Sequence, residues 1–595
     1  MEKERLSSLG KLVMSNRQLF VLAIFALLPT ASVAASYFSA RNLLLTIFVL
    51  LGMFAFASVR RATSDRVYLV LLSSLSISLL LATSFVSRNL SGYDIHQEYY
   101  IFSQTAAQGW HPETQLVYNS VLSISILPTV LYTVTGLDGV WLFKTIFPLL
   151  YSVVPVLLYG LYRKFLSSQA AFLSVFLFMS YPTSYIQITT LGRQEIAELM
   201  LAALLLVSCT PSLRATLAGK LMTGILTVGL VTSHYSLAFI YLLLLVLSLV
   251  LAKGTRRITP LCSPSMFGFS ILIVLSWYLL VSGGTALAEL TGLIAIVGTG
   301  MIRDLFNPLS RPSVVVEALS FSGVSGVLHL ANRVIQYLVQ FLLLIGFVIF
   351  SVAAPKNASA RTLFSSMIVA MVLLLSSVAL PFFAFGLNFS RIYQIALLFI
   401  APCFVYGLDG VASWLRRNSQ SIRVPSVGVH ISRRRLLAAI LLTTYFLFVG
   451  GWVWAVAMDS PTSTVLDWQR MADSKNLQLK VAYVAEYTVA EDIQAAQWLK
   501  YHASSTRSVC ADFVSSDHVL NSYGSFAKYL PQIPAECTYT NDYVYLSVFN
   551  TVNGTATQQD ARTSAIVTWK VSDISATLGT MNVIYSGGAV VYLGP

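Results

Sequence analysis

Long uncharged apolar runs constrain this chain more than any other feature. LFVLAIFALLPTASVAASYF from Leu19 and LLTIFVLLGMFAFASV from Leu44 carry no charged residue. About 20 such residues in helical form cross the roughly 30 Å hydrocarbon core of a bilayer. Of the 595 residues, 56% are hydrophobic and only 11% charged, against about 25% charged in soluble domains. Water cannot solvate that much contiguous apolar surface, so the expected fold is a polytopic α-helical membrane protein.

Spans are expected at about 18–38, 42–59, 67–87, 140–162, 168–187, 195–210, 219–233, 235–252, 266–283, 334–354, 363–384, 391–411 and 436–457, roughly thirteen transmembrane helices. The net charge of +13 sits in short clusters between these runs: Arg60-Arg61-Arg66, Arg163-Lys164, Lys253-Arg256-Arg257, Arg416-Arg417-Arg423 and Arg433-Arg434-Arg435. Such clusters mark cytoplasmic loops. A nucleic-acid partner would call for a basic stripe on a soluble domain, which the sequence lacks. Lys3, Arg5, Lys11 and Arg17 precede a first span of full length and read as the flank of a retained anchor. With the N-terminus cytoplasmic, every cluster falls inside, and an odd number of spans delivers the tail outside. The expected organisation is a membrane domain over 1–458, with outer loops at 88–139 and 284–333, and a small extracytoplasmic domain over 459–595.

Composition shifts sharply in that tail. TVAEDIQAAQWLKYHA (488–503) has Thr488 and Glu491 at capping-box spacing and Val489, Ile493, Ala496 and Leu499 along one helical face. SVCADF, YVYLSVF and AIVTWKV read as strands, and NVIY and AVVYL flank a Ser586-Gly587-Gly588 turn. The pattern predicts an α/β or α+β domain. Outside the cell a Cys510–Cys537 disulfide would persist, whereas Cys209, Cys262 and Cys403 lie in or beside spans as packing residues.

The sharpest chemical feature follows the third span, in Asp94-Ile95-His96-Gln97-Glu98. On a helix Asp94 and Glu98 share a face; on a strand Asp94, His96 and Glu98 do. Either arrangement converges two carboxylates at the membrane surface, able to hold a divalent cation such as Mg or Mn, or to act as a general base. A plain polar loop leaving a membrane helix is the competing reading. Lys144, Arg193, Glu195, Glu198, His234, Tyr235 and Arg391 lie in or at the rims of spans, all in the outer half, where a shared polar cavity would justify their cost. Competing readings are pairing of Arg193 with Glu195 or Glu198, snorkelling of Lys144 and Arg391, and a packed His234. The sequence has no P-loop, no Cys/His metal spacing and no nucleophile elbow.

The layout resembles the type C glycosyltransferases, multi-spanning enzymes that use polyprenyl-phosphate-linked sugars. Acids in a first large outer loop (Asp94, Glu98), an interfacial helix after it (about 121–136), a many-helix core and an outer tail domain carry the resemblance. GYDIHQEYYIF, TGLDGVWLFKTIFPLLYSVVPVLLYGLYRKF, TLGRQEIAEL, NFSRIYQIALL and TVAEDIQAAQWL look like a family of predicted archaeal membrane proteins grouped with those enzymes. The usual adjacent or D-x-D acid pair is here D-I-H-Q-E. The resemblance implies inverting transfer of a sugar from a polyprenyl phosphate to a glycan, lipid or protein acceptor at the outer face. Arg391, Lys144 and Arg193 would meet the lipid phosphate, Asp94 would act as base, and Glu98 or His96 would orient it or bind metal. Alternatives are a lipid-linked glycan transporter, polymerase or ligase, which need outer cations but no acid pair, and a non-catalytic membrane-anchored assembly protein.

Overall fold

The computed structural model describes residues 16–60, 64–112, 117–320, 326–353, 355, 357–418, 433–460, 462–526, 530–559 and 566–595. Lys3, Arg5, Lys11, Arg61 and Arg423 lie outside them.

Each expected span contains helix, although the helices of 168–187, 363–384 and 436–457 break after Ser180, Ala379 and Val449. The elements are α1 (Asn16–Tyr37), α2 (Arg41–Arg60), α3 (Asp65–Ser84), α4 (Asp94–Gln108), α5 (Ile126–Thr135), α6 (Gly139–Tyr162), α7 (Ser168–Ser180), α8 (Gly192–Ser208), α9 (Leu217–Ser233), α10 (Tyr235–Gly254), α11 (Pro264–Val281), α12 (Thr285–Arg303), α13 (Val327–Ala353), α14 (Ala358–Ala379), α15 (Phe389–Asn418) and α16 (Arg433–Val449). Among the described residues, eight helices are long and apolar enough to cross a membrane. Seven of them occupy expected spans.

The eighth is α12, inside the segment 284–333 expected as an outer loop. Its neighbours explain it. The end of α11 reaches the top of α9, where Tyr278 donates to Val231 O at 2.6 Å. The far end of α12 abuts Pro381 and Phe382, just beyond α14. Both ends therefore meet the same pole of the bundle, and the helix runs along it. Exposed Ile294, Ile296, Met301 and Ile302 suit an apolar boundary. α5 shows Val130, Tyr132 and Val134 outward in the same way.

A single large apolar core threads the bundle. Its tightest seam joins α13 and α15, where a Cβ on Gly346 would fall 1.7 Å from Cys403 O and one on Gly407 2.0 Å from Leu342 O. Small residues allow backbones this close, and van der Waals contact then holds helices that lipid would otherwise separate. The seam fixes α15, and with it Arg391.

Among the described residues the tail contains helix α17 (Ala490–His502) and six strands: β1 (Val509–Cys510), β2 (Tyr543–Leu546), β3 (Thr555–Gln559), β4 (Ile566–Lys570), β5 (Asn582–Gly587) and β6 (Ala589–Leu593). One sheet runs β1-β2-β6-β5, parallel between β1 and β2 and antiparallel elsewhere; β3 and β4 form a separate ribbon. The predicted capping box at Thr488 is absent: Val489 precedes the helix with no side-chain cap. Thr488 O instead accepts from Asn89 Nδ2 at 3.0 Å. It belongs to a seam between tail and membrane domain that includes Gly92 N to Glu486 O at 2.8 Å and Leu90 N to Tyr523 Oη at 3.0 Å. The loop before α4 is thus pinned to the tail on one side and leads into the bundle on the other.

Candidate functional site

Asp94 opens α4, where an acid suits the unpaired N–H groups of a first turn. Helical pitch then aligns Asp94, Gln97 and Glu98. Ile95, Ile101 and Phe102 pack with Phe143 and Phe147 of α6 and Ile196 of α8. That apolar anchoring turns the polar side of α4 toward α8 and the tail. Of the two geometries open from sequence, the helix is the one observed.

Arg193, in the first turn of α8, reaches across to this face. Its Nη2 lies 3.3 Å from Asp94 Oδ2 and its Nε 3.3 Å from Glu98 Oε1. Arg391 from α15 brings Nη2 to 2.8 Å from the same Asp94 Oδ2. Asp94 therefore bridges two guanidinium groups from two helices. The Arg193 guanidinium carbon sits 4.1 Å from the Tyr118 ring centroid and 5.9 Å from that of Tyr235, so the aromatic faces add cation–π attraction. Side-chain exposure separates inner from outer partners: 5% for Arg193 and 1% for Glu98, but 14% for Asp94 and 15% for Arg391.

Glu98 also covers the start of α8, where Arg193 N donates to Oε2 at 3.4 Å. A Cβ on Gly192 would stand 3.0 Å from that oxygen and 3.1 Å from Phe147, so glycine permits the approach. Burial pushes the Glu98 carboxyl up to about 8, while the Arg193 guanidinium and the N–H groups of Arg193 and Gly192 pull the other way.

A second layer lies one turn deeper. Glu198 Oε2 accepts from Tyr151 Oη at 3.0 Å and Gln394 Nε2 at 2.7 Å, and Oε1 accepts from Gln194 Nε2 at 2.7 Å. Gln394 is three residues beyond Arg391, so this network sets the registry of α15 against α8. Pairing of Arg193 with Glu195 or Glu198, weighed from sequence, does not occur; the helix carries both glutamates deeper than the arginine's reach toward α4. Glu195 is fully buried, and neither oxygen has a hydrogen-bond partner among the described residues. His234 caps α10, accepting from Leu237 N at 3.4 Å through Nδ1, within electrostatic range of Arg193, Arg391 and Asp94.

Two expected members stand apart. Lys144 neither snorkels nor joins the cluster: Nζ donates to Ser87 O at 2.6 Å and Asn89 O at 2.8 Å, fastening the loop before α4. His96 points away from Asp94, because two residues along a helix turn about 200°. Its ring stacks on His518 of the tail, with centroids 4.8 Å apart, and Nδ1 lies 3.0 Å from Ser522 Oγ.

The tail supplies what sequence reasoning missed. The wide helical turn Ser515–Leu520 lies against α4, with Gln97 Nε2 donating to Asp517 Oδ1 and the Tyr93 ring against Phe513 and His518. Between α4 and the tail opens a cleft of roughly 550 Å³, with Asp94 on one wall and Asp517 on the other. Cys510 and Cys537 are joined, with Cα atoms 5.9 Å apart, tying β1 to the segment that forms the cleft's outer wall. The crowding of acids, serines and histidine in ADFVSSDH was the available signal; reading SVCADF as a plain strand hid it. Tyr118 left no signal at all.

Asp94 and Glu98 are matched to guanidinium groups. Among the described residues, the one set of three acidic, His or Cys side chains close enough to share an ion is Cys510, Cys537 and Asp542, whose sulfurs are bonded to each other. The acid pair does not fit a divalent cation without displacing Arg193.

A helical bundle with a charged cluster at one pole, closed over by a small sheet domain, defines a polytopic membrane protein. The chain belongs to the family described as Predicted membrane protein (DUF2206), whose model matches residues 220–592. No curated protein matches it. Among solved structures it is similar to the Archaeoglobus fulgidus oligosaccharyltransferase tethered with an acceptor peptide containing the NVT sequon, at 14% identity and TM-score 0.49, covering 82% of this chain and 69% of that one. It is also similar to archaeal oligosaccharyltransferase AglB from the same organism, in complex with an inhibitory peptide and a dolichol-phosphate, at 12% and 0.48, covering 89% and 74%. A third similar structure, the Archaeoglobus enzyme with Zn and sulfate, gives 14% and 0.46, covering 81% and 68%.

Proposed function

We propose that this protein is an inverting glycosyltransferase that takes a sugar from a polyprenyl phosphate and transfers it to an acceptor hydroxyl at the outer face of the membrane. The N-terminus is then cytoplasmic, and residues 1–458 and 459–595 act as membrane and extracytoplasmic domains around one site. The observation that carries this reading is Asp94, a carboxylate on the wall of a polar cleft that also bonds Arg391 at 2.8 Å.

The acceptor oxygen attacks the anomeric carbon while the bond from that carbon to the phosphate oxygen breaks. The electron pair leaves with polyprenyl phosphate, and the hydroxyl proton passes to Asp94. Arg391, whose side chain is partly exposed beside Asp94, donates to the leaving phosphate. Donor phosphate competing for Arg391 relieves Asp94 of one of its two cations and so strengthens it as a base. Arg193, held by Glu98 and Tyr118, contributes its charge from behind; Glu98 is a positioning residue. Beside α15 a cavity of roughly 560 Å³, with Tyr181, Val315, Phe389, Tyr393, Tyr445 and Trp454 among its walls, suits the isoprenoid chain. Holding both reactants at one surface removes much of the entropic cost of their encounter.

The test is mass spectrometry of surface glycans from cells with and without the chain, and from cells carrying Asp94→Asn. A missing sugar in the deletion and in the variant is expected. Unaltered glycans with Asp94→Asn in a folded protein refute the assignment.

A further inference from the structure

The cleft between α4 and the tail has a chemistry of its own. Its acids are Asp94, Asp517 and Glu536, and among the described residues no lysine or arginine lines it. The cations nearest it, Arg391 and Arg193, are bonded to Asp94 on its wall, so the donor phosphate is assigned to Arg391 and the rest of the cleft, lined by Asp517, Glu536 and neutral polar groups, is left to the second substrate. Whatever enters from the tail side is therefore the acceptor, under the transferase reading.

The walls also discriminate among acceptors. Strand addition, one mode of peptide recognition, needs an open sheet edge. The β1 edge of the larger sheet, which faces the cleft, is already taken: Ile533 N donates to Ala511 O at 3.1 Å and Ala511 N to Pro531 O at 3.3 Å, so residues 531–533 cover it. What remains available is side chains. Gln532 and Gln559 each present a donor and an acceptor, the carboxylates accept, and Tyr118 and Phe513 add aromatic surface. That combination matches a ring with many hydroxyls and an apolar face.

We propose that the acceptor is a neutral carbohydrate, seated in the cleft between the tail and α4 with the attacking hydroxyl at Asp94 and the remaining hydroxyls bonded by Gln532 and Gln559. The tail domain is then the acceptor-recognition module, and its specificity lies in the 530–536 segment and the end of β3.

The full-length protein in lipid nanodiscs is examined by saturation-transfer NMR against neutral mono- and disaccharides, phosphorylated sugars and sequon-containing peptides. At least one neutral sugar should bind, and Gln532→Ala and Gln559→Ala, both on the protein's rim, should each weaken it about five- to tenfold, the loss of one hydrogen bond. No neutral sugar bound, binding indifferent to both substitutions, or a preference for peptide or phosphosugar overturns the proposal. Transfer from a polyprenyl-phosphate sugar to a peptide would discard the carbohydrate acceptor and keep the transferase. Sugar binding without transfer to any acceptor would discard the transferase, and the acceptor role with it.

Discussion

Two polar layers cross this bundle one helical turn apart, and they are built differently. In the upper layer Asp94, Arg193, Arg391 and Glu98 are ionisable groups in mutual contact, and two of them, Asp94 and Arg391, keep open sides. In the lower layer Glu198 is enclosed by Tyr151, Gln194 and Gln394, with its oxygens saturated by neutral donors. Glu198 is satisfied without a ligand, whereas Asp94 and Arg391 keep part of their side chains open to one. Glu198 thus serves registry, and Asp94 and Arg391 are the groups left available to a ligand.

The strongest way to break that contrast is at Asp94. Asp94→Asn should lower transfer about 10³-fold, as expected for a lost general base, in a protein that still folds, with a lower thermal transition because Arg193 and Arg391 lose a shared carboxylate. Arg391→Ala should weaken polyprenyl-phosphate binding roughly 10- to 100-fold, the value of a charge-assisted hydrogen bond; a vesicle flotation or titration assay reads it, and unchanged affinity moves the phosphate elsewhere. A third measurement addresses the tail. Burial holds His518 at about 4 against an ordinary 6.5, and burial with the neighbouring His518 holds His96 well below its ordinary value. Unfolded chains therefore bind more protons than the native state between those pH values. Stability rises with pH through that window and is lost on acidification, by about 2 kcal/mol for His518 between pH 7 and 5. Hydrogen exchange in 515–523 should report the loosening, and His518→Phe should flatten it. The smallest effect belongs to the lower layer: Glu198→Gln keeps an acceptor for its neighbours and should change transfer less than about threefold. A large loss there would mean that the two layers are one site.

The family match to predicted membrane proteins and the helical bundle with its small sheet domain agree with what the apolar runs and the tail's composition foretold. The Asp94–Glu98 spacing left helix and strand open, and the helix is the one that forms. Partnerships were beyond reach. Arg193 could have paired with Glu195 or Glu198, two and five residues along its own helix, but pairs with residues 99 and 95 positions away, because α4 presents its carboxylates to the start of α8. Lys144 read as a phosphate ligand and proved to fasten a loop.

By itself the sequence determined solvent and secondary structure, since both follow from local hydropathy and periodicity that any stretch of twenty residues displays. Which charges meet was decided only by the tertiary structure. Gln97 finds Asp517 across 420 positions, and no local pattern encodes a contact that exists only after the helices pack and the tail folds back over their end.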